Sequence, residues 1–165
     1  MARRLQRIAS TCGGEAAYPL AMDLETLIAD RDVRHGLARF AEVVDARAWE
    51  RLGEVFAADA VTVYGEFRSE GLAAIEAHFR RFLGRCGPSQ HLLGNIEVTV
   101  ADDAARSRAN VLASHRSADP KDAREFVAYG GYEAAWRRAP DGWRVTTWTW
   151  QQGWFRGDIA VLGAR

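Results

Sequence analysis

Apolar residues at Leu24, Leu27, Ile28, Leu37, Phe40 and Val44 recur close to the spacing of one helical face, so a long first helix is predicted to start just after Asp23, whose carboxylate suits an N-cap. A second apolar stripe, Trp49, Leu52, Val55 and Phe56, follows a bend around residues 45–47 and predicts a short helix. "ADAVTVYGEF" then reads as a strand. Leu72, Ile75, Phe79 and Phe82 predict a third helix over 71–85, which Gly87 and Pro88 stop. Beyond that point the period falls to two. "IEVTV", "ARSRANVLASH", "REFVAYGGYEAAWRR" and "GWRVTTWTWQQGWF" read as strands rich in aromatic and β-branched residues, joined by short links of the kind that connect antiparallel neighbours.

Helices first and strands afterwards imply an α+β domain in which helices cover one face of a curved, mostly antiparallel sheet. Such a sheet forms a cone with an open mouth, a common place for a ligand. The chain has 165 residues, the size of one domain. Residues 1–22 are Arg-rich, nearly free of acids and lack the apolar run of a signal peptide, so a flexible tail is expected there and a single domain over 23–165.

Charge narrows the function classes. Basic and acidic residues balance at 22 each, which leaves no global field to favour nucleic acid or an anionic membrane surface. No apolar run is long enough to span a bilayer. Cys12 and Cys86 have neither a disulfide framework nor metal-ligand spacing, and a reducing cytoplasm is expected. Phosphate loops, zinc-hydrolase motifs and serine nucleophile elbows are missing from the sequence.

The candidate chemistry rests on few residues. His35 and His78 fall on predicted helices among charged neighbours and are expected at the surface. His115 shares strand parity with Val111 and Ala113 and is expected on the apolar side of the sheet. His91, in "SQHLLGN", goes with Leu93 and Asn95 rather than with Ile96, Val98 and Val100; a bulge permitted by Gly94 would switch its face. Pattern alone favours a structural or surface histidine there. Spacing alone likewise favours an exposed helix-terminal role for Asp45. Turned inward, its carboxylate would fix an imidazole tautomer and raise the basicity of the other ring nitrogen. Tyr64 and Glu133 are candidate partners, as a hydrogen-bond donor and a second acid. Trp148, Trp150, Gln152 and Trp154 share one parity and suit either a cavity wall or a subunit interface.

Taken in order, "FAEVVDARAWERLGEVFAADAVTVYGEF", "SQHLLGN", "RANVLASH" and "YEAAWRRAPDGWRV" resemble the SnoaL-like branch of the NTF2-like superfamily, which includes scytalone dehydratase, hexachlorocyclohexane dehydrochlorinase and bile-acid dehydratases. The resemblance covers roughly residues 24–157. It implies a cone-shaped α+β barrel, homodimeric or homotrimeric, with a cofactor-free and metal-free site inside. Asp45 and His91 match the family's acid-base dyad, His115 a further histidine and Tyr64 a strand tyrosine. Phe67, Trp148 and Gln152 match an apolar substrate-binding wall, and Glu133 the position of a pocket asparagine. Scytalone dehydratase has a second tyrosine where Val44 stands here, so scytalone itself is not the expected substrate. The activity implied is a dehydratase-type lyase on a small, apolar, cyclic molecule. An isomerase or polyketide cyclase using the same proton abstraction, and a non-catalytic binding or assembly subunit, are the alternatives.

Overall fold

The computed structural model describes residues 23–163. The expected tail over 1–22, with Cys12, lies outside the described residues. Helix α1 (Leu24–Asp45) opens where Asp23 accepts a hydrogen bond from the Thr26 amide at 2.7 Å, the N-cap expected from sequence. Its buried face is Ala29, Val33, Leu37, Phe40, Val43 and Val44. Leu24, Leu27 and Ile28, expected on that face, are exposed instead, and Ala29 and Val33 take the buried positions of the first turns.

A 3-10 helix (Trp49–Glu54) leads into strand β1 (Phe56–Tyr64), so Phe56 opens a strand rather than closing a helix. The single strand expected over 58–67 is a hairpin. Gly65, with φ 61°, supplies the left-handed residue of a two-residue turn, and β2 (Phe67–Glu70) folds back on β1. Helix α2 (Leu72–Leu83) follows, and then β3 (Ser89–Ala101), β4 (Ala104–Arg116), β5 (Glu125–Ala139) and β6 (Gly142–Gly157).

The six strands form one mixed sheet in the order β2-β1-β6-β5-β4-β3, antiparallel except for the parallel pair β1 and β6. The sheet curves over the helices but does not close into the barrel implied by the family resemblance. Its edge strands β2 and β3 are covered by α2 and α1 respectively rather than paired with each other. No helix among the described residues is long and apolar enough to cross a membrane.

The core lies between α1, α2 and the concave face. Trp148 on β6, with no exposed surface, is its centre: its ring lies 4.3 Å from Phe40 on α1 and 4.5 Å from Tyr132 on β5, centroid to centroid. Trp136 is 2% exposed and donates its indole N–H to Ser107 Oγ at 2.8 Å, which satisfies the one polar atom of that ring.

Candidate active site

The face of His91 is decided by one extra residue in β3. Gly94 pairs with Asn110 but Glu97 pairs with Arg108, so Asn95 and Ile96 together oppose Ala109. This bulge joins the two parities: His91 and Leu93 before it face inward with Ile96, Val98 and Val100 after it. The expected bulge is present, but its left-handed residue is Asn95, with φ 47°, rather than Gly94. Asparagine tolerates that conformation better than most side chains.

Asp45 ends α1 and turns inward. Its Oδ1 lies 2.7 Å from His91 Nδ1 and accepts from Ser89 Oγ at 2.8 Å, while Oδ2 accepts from the His91 amide at 2.8 Å. The two residues are 46 positions apart in the chain. Burial pushes the Asp45 carboxyl up, but the hydrogen bonds and charge of His91, with Ser89, outweigh it and leave the carboxyl below its ordinary range. An ionised carboxylate can only accept, so His91 Nδ1 carries a proton, and in the neutral imidazole Nε2 is the ring's acceptor.

His115 follows the same logic. It is 4% exposed, and its Nδ1 donates to the Phe126 carbonyl at 3.2 Å, so its Nε2 is also the ring's acceptor. The two imidazole rings stand edge to face at 5.4 Å. Burial, and the neighbouring His91, push His115 down to about 4, and burial with the charge of Arg81 does the same to His78. His115 therefore binds a proton more weakly folded than unfolded. Its contribution to stability is complete above pH 6.5 and is lost as the pH falls toward 4. Acidification from pH 7 to 5 is expected to remove about 2 kcal/mol through this residue. Denaturant titrations at the two pH values check this; because His78 is pushed down over the same range, His115→Asn should remove part of the dependence and leave the part due to His78.

These residues line a cavity of about 470 Å³ on the concave side of the sheet. Its walls include Phe82 of α2, Phe126 of β5 and Trp150 of β6, and neither arginine nor lysine lines it among the described residues. Tyr64 Oη accepts from Trp148 Nε1 at 3.0 Å, and its own hydroxyl is paired with that of Tyr132. Burial holds both Tyr64 and its neighbour Tyr132 well above the ordinary phenol range, so both are neutral, and the pair has one proton to offer the cavity. Among the described residues, no three His, Cys, Asp or Glu side chains cluster as metal ligands.

Of the residues expected at a site, the fold brings Asp45, His91, His115, Tyr64, Phe67 and Gln152 to or beside the cavity. Trp148 stands behind the lining, where it supports Tyr64. Glu133 is not at the site. Its neighbours Tyr132 and Ala134 take the buried face of β5, so Glu133 projects from the opposite, exposed face, where Gln151 Nε2 donates to it at 3.3 Å.

His78 lines the cavity rather than the surface. The signal was in the sequence, since it lies three residues after Ile75 on the apolar stripe of α2. Tyr132, not among the residues expected at a site, lines the cavity from β5 beside Tyr64.

Gly130 matters by close approach. A Cβ there would lie 2.3 Å from the Gln151 carbonyl oxygen and 2.7 Å from the Trp150 ring. Gly130→Ala is expected to destabilise the fold by about 1–3 kcal/mol, read from a chemical denaturation midpoint, because backbone cannot yield as a side chain does.

The sequence profile of the SnoaL-like domain matches residues 25–149. An uncharacterized protein of Mycobacterium tuberculosis, Rv2910c, is 30% identical over 125 residues, covering 72% of this chain and 82% of that protein. Similar solved structures include a candidate aromatic ring hydroxylase from Novosphingobium aromaticivorans, 25% identical with a TM-score of 0.73 over 82% of this chain and 97% of that one. A candidate scytalone dehydratase from the same species is 20% identical, with a TM-score of 0.73 over 80% of this chain and 89% of that one. A type 2 hexachlorocyclohexane dehydrochlorinase, LinA, is 16% identical, with a TM-score of 0.73 over 83% and 93%. At these identities the last two show a shared fold. With three quarters of its length matched by one domain profile, the chain belongs to the SnoaL-like domain family, on the NTF2-like fold.

Proposed function

We propose that the cavity is the active site of a cofactor-independent lyase of the dehydratase type. The observation that carries this reading is the 2.7 Å contact between Asp45 and His91 Nδ1, on an imidazole that lines an apolar cavity. His91 Nε2 takes a proton from carbon beside an activating group, the electron pair forms a carbon–carbon double bond, and the hydroxyl two atoms away departs. Tyr64 donates to the departing or the activating oxygen. His115 serves by accepting from a substrate hydroxyl, since a ring pushed down to about 4 is not a proton donor at neutral pH. The imidazolium then gives its proton to the departing hydroxyl, or to the phenol that protonated it, so that the products are one α,β-unsaturated carbonyl compound and one molecule of water.

The lining selects the substrate class. Among the described residues the lining is mostly apolar and its one charged side chain is Glu66, so an anionic group would enter at a high desolvation cost. The substrate is an uncharged, flat, cyclic β-hydroxy carbonyl compound. Phe67 and Gln152 contact it near the mouth. A homodimer or homotrimer is the proposed assembly, to be read by light scattering.

Incubating the protein with a panel of neutral cyclic β-hydroxy ketones tests the reading, with product mass as the measurement. Loss of water marks the lyase; an isomeric product would assign the same dyad to an isomerase. Asp45→Asn should lower turnover by about three to four orders of magnitude, because an amide no longer enforces the Nδ1–H tautomer. Normal turnover in that variant would remove Asp45 from the chemistry.

A further inference from the structure

Arg47 sits two residues beyond the end of α1 in a conformation that arginine rarely takes, with φ 58°. The amides of Arg47 and Ala48 return to the carbonyls of Val44 and Val43, at 3.3 and 3.0 Å, which closes the helix in a motif that normally has glycine at this position. Closing a helix does not require arginine. The side chain is the informative part.

Its guanidinium is part-buried and forms no ion pair among the described residues. Nε donates to the Leu83 carbonyl at 3.0 Å, Nη2 to the Gly87 carbonyl and Cys86 Sγ at 2.9 Å each, and Nη1 to the Val44 carbonyl and to Ser89 Oγ, the latter at 2.8 Å. Arginine has no acceptor, so the Ser89 oxygen must accept from it, and the one proton of that hydroxyl goes to Asp45 Oδ1. The chain Arg47 to Ser89 to Asp45 thus has a single possible direction.

A carboxylate and an imidazole enclosed together, with side chains 23% and 5% exposed, form a site that holds a proton tightly unless another positive charge is near. The other titratable groups facing the pair are Cys86 from the α2–β3 link, His115 on β4, Tyr132 on β5, and Tyr64 and His78 across the cavity. All are neutral near pH 7, as thiol, imidazoles and phenols. Arg47 is the permanent charge. Its field extends to His115, where it also disfavours protonation.

We propose that Arg47 is a positioning residue of the dyad: acting through Ser89, it balances the charge of Asp45, so that the pair keeps its carboxylate without also holding a proton on His91 Nε2. This rests on the dyad reading above. It adds a charge that offsets Asp45, which is what a dyad needs if its imidazole is to act as a base.

Ring nitrogen chemical shifts of 15N-histidine-labelled, ligand-free protein test it without any substrate, so its failure is separable from failure of the lyase assignment. At pH 7, Arg47→Gln is expected to raise the imidazolium fraction of His91 several-fold. Arg47→Lys, which keeps the charge, should leave it near that of the unsubstituted chain. Ser89→Ala leaves the arginine clamp on the carbonyls intact and should give an intermediate rise. If Arg47→Gln does not fold, Ser89→Ala decides. Folded Arg47→Gln and Ser89→Ala proteins with an unchanged His91 signature would overturn the proposal and leave Arg47 as a brace between chain segments.

Discussion

Replacing His91 with alanine is expected to lower turnover of a substrate that loses water by about 10²- to 10⁴-fold, the usual contribution of a positioned acid-base group. The fold should survive the change. His91 lies on the inner face of β3 but outside the central Trp148 cluster, and the strand keeps its pairing with β4 through backbone hydrogen bonds that no side chain supplies. Circular dichroism and a denaturation midpoint would show this. His91→Gln gives a second reading, since glutamine can still hydrogen-bond to Asp45 but offers no basic nitrogen. Wild-type turnover by either variant, in protein shown to be folded, would exclude the dyad as the base and leave the cavity as a binding site.

The largest effect on stability is expected at Trp148. Truncation to alanine removes a ring with no exposed surface that packs between Phe40, Phe56 and Tyr132, and should cost about 3–5 kcal/mol, measured by urea or guanidinium titration. The same change takes the 3.0 Å hydrogen bond from Tyr64, so activity and stability fall together. Trp148→Phe separates the two. It keeps much of the packed volume, so most of the stability should return, while the indole donor to Tyr64 is still missing. An alanine variant as stable as the parent would mean that the core is organised around some other residue.

These expectations depend unequally on what the sequence made legible. Leu37, Phe40 and Val44 on α1, Ile75 and Phe79 on α2, and the alternation along β4 carry their own periodicity, whereas the first turns of α1 bury Ala29 and Val33 in place of the expected Leu24, Leu27 and Ile28. The family resemblance pointed to Asp45 and His91 through position in the chain. Periodicity pointed away from both, since a helix-terminal acid and an off-parity histidine look like surface residues until the bulge is counted. Glu133 is the opposite case: matched by position, it was misplaced because alternation along β5 gives the inner face to Tyr132 and Ala134. Arg47 left no signal that could be read, since an arginine after a helix is ordinarily solvated.

The sequence by itself determined the class of the fold, the order of helices and strands, the burial of His115 and the family. Those properties are local, or accumulate over many residues. Tertiary structure alone decided that the sheet stays open, that Asn95 turns β3 so that His91 meets Asp45, that Tyr132 joins Tyr64, and that Arg47 reaches the dyad through Ser89. Each of these is a contact between residues far apart in the chain, set by register and by one bulged residue. A single-residue slip reverses which face every following side chain takes, and no periodic pattern records where that slip will occur.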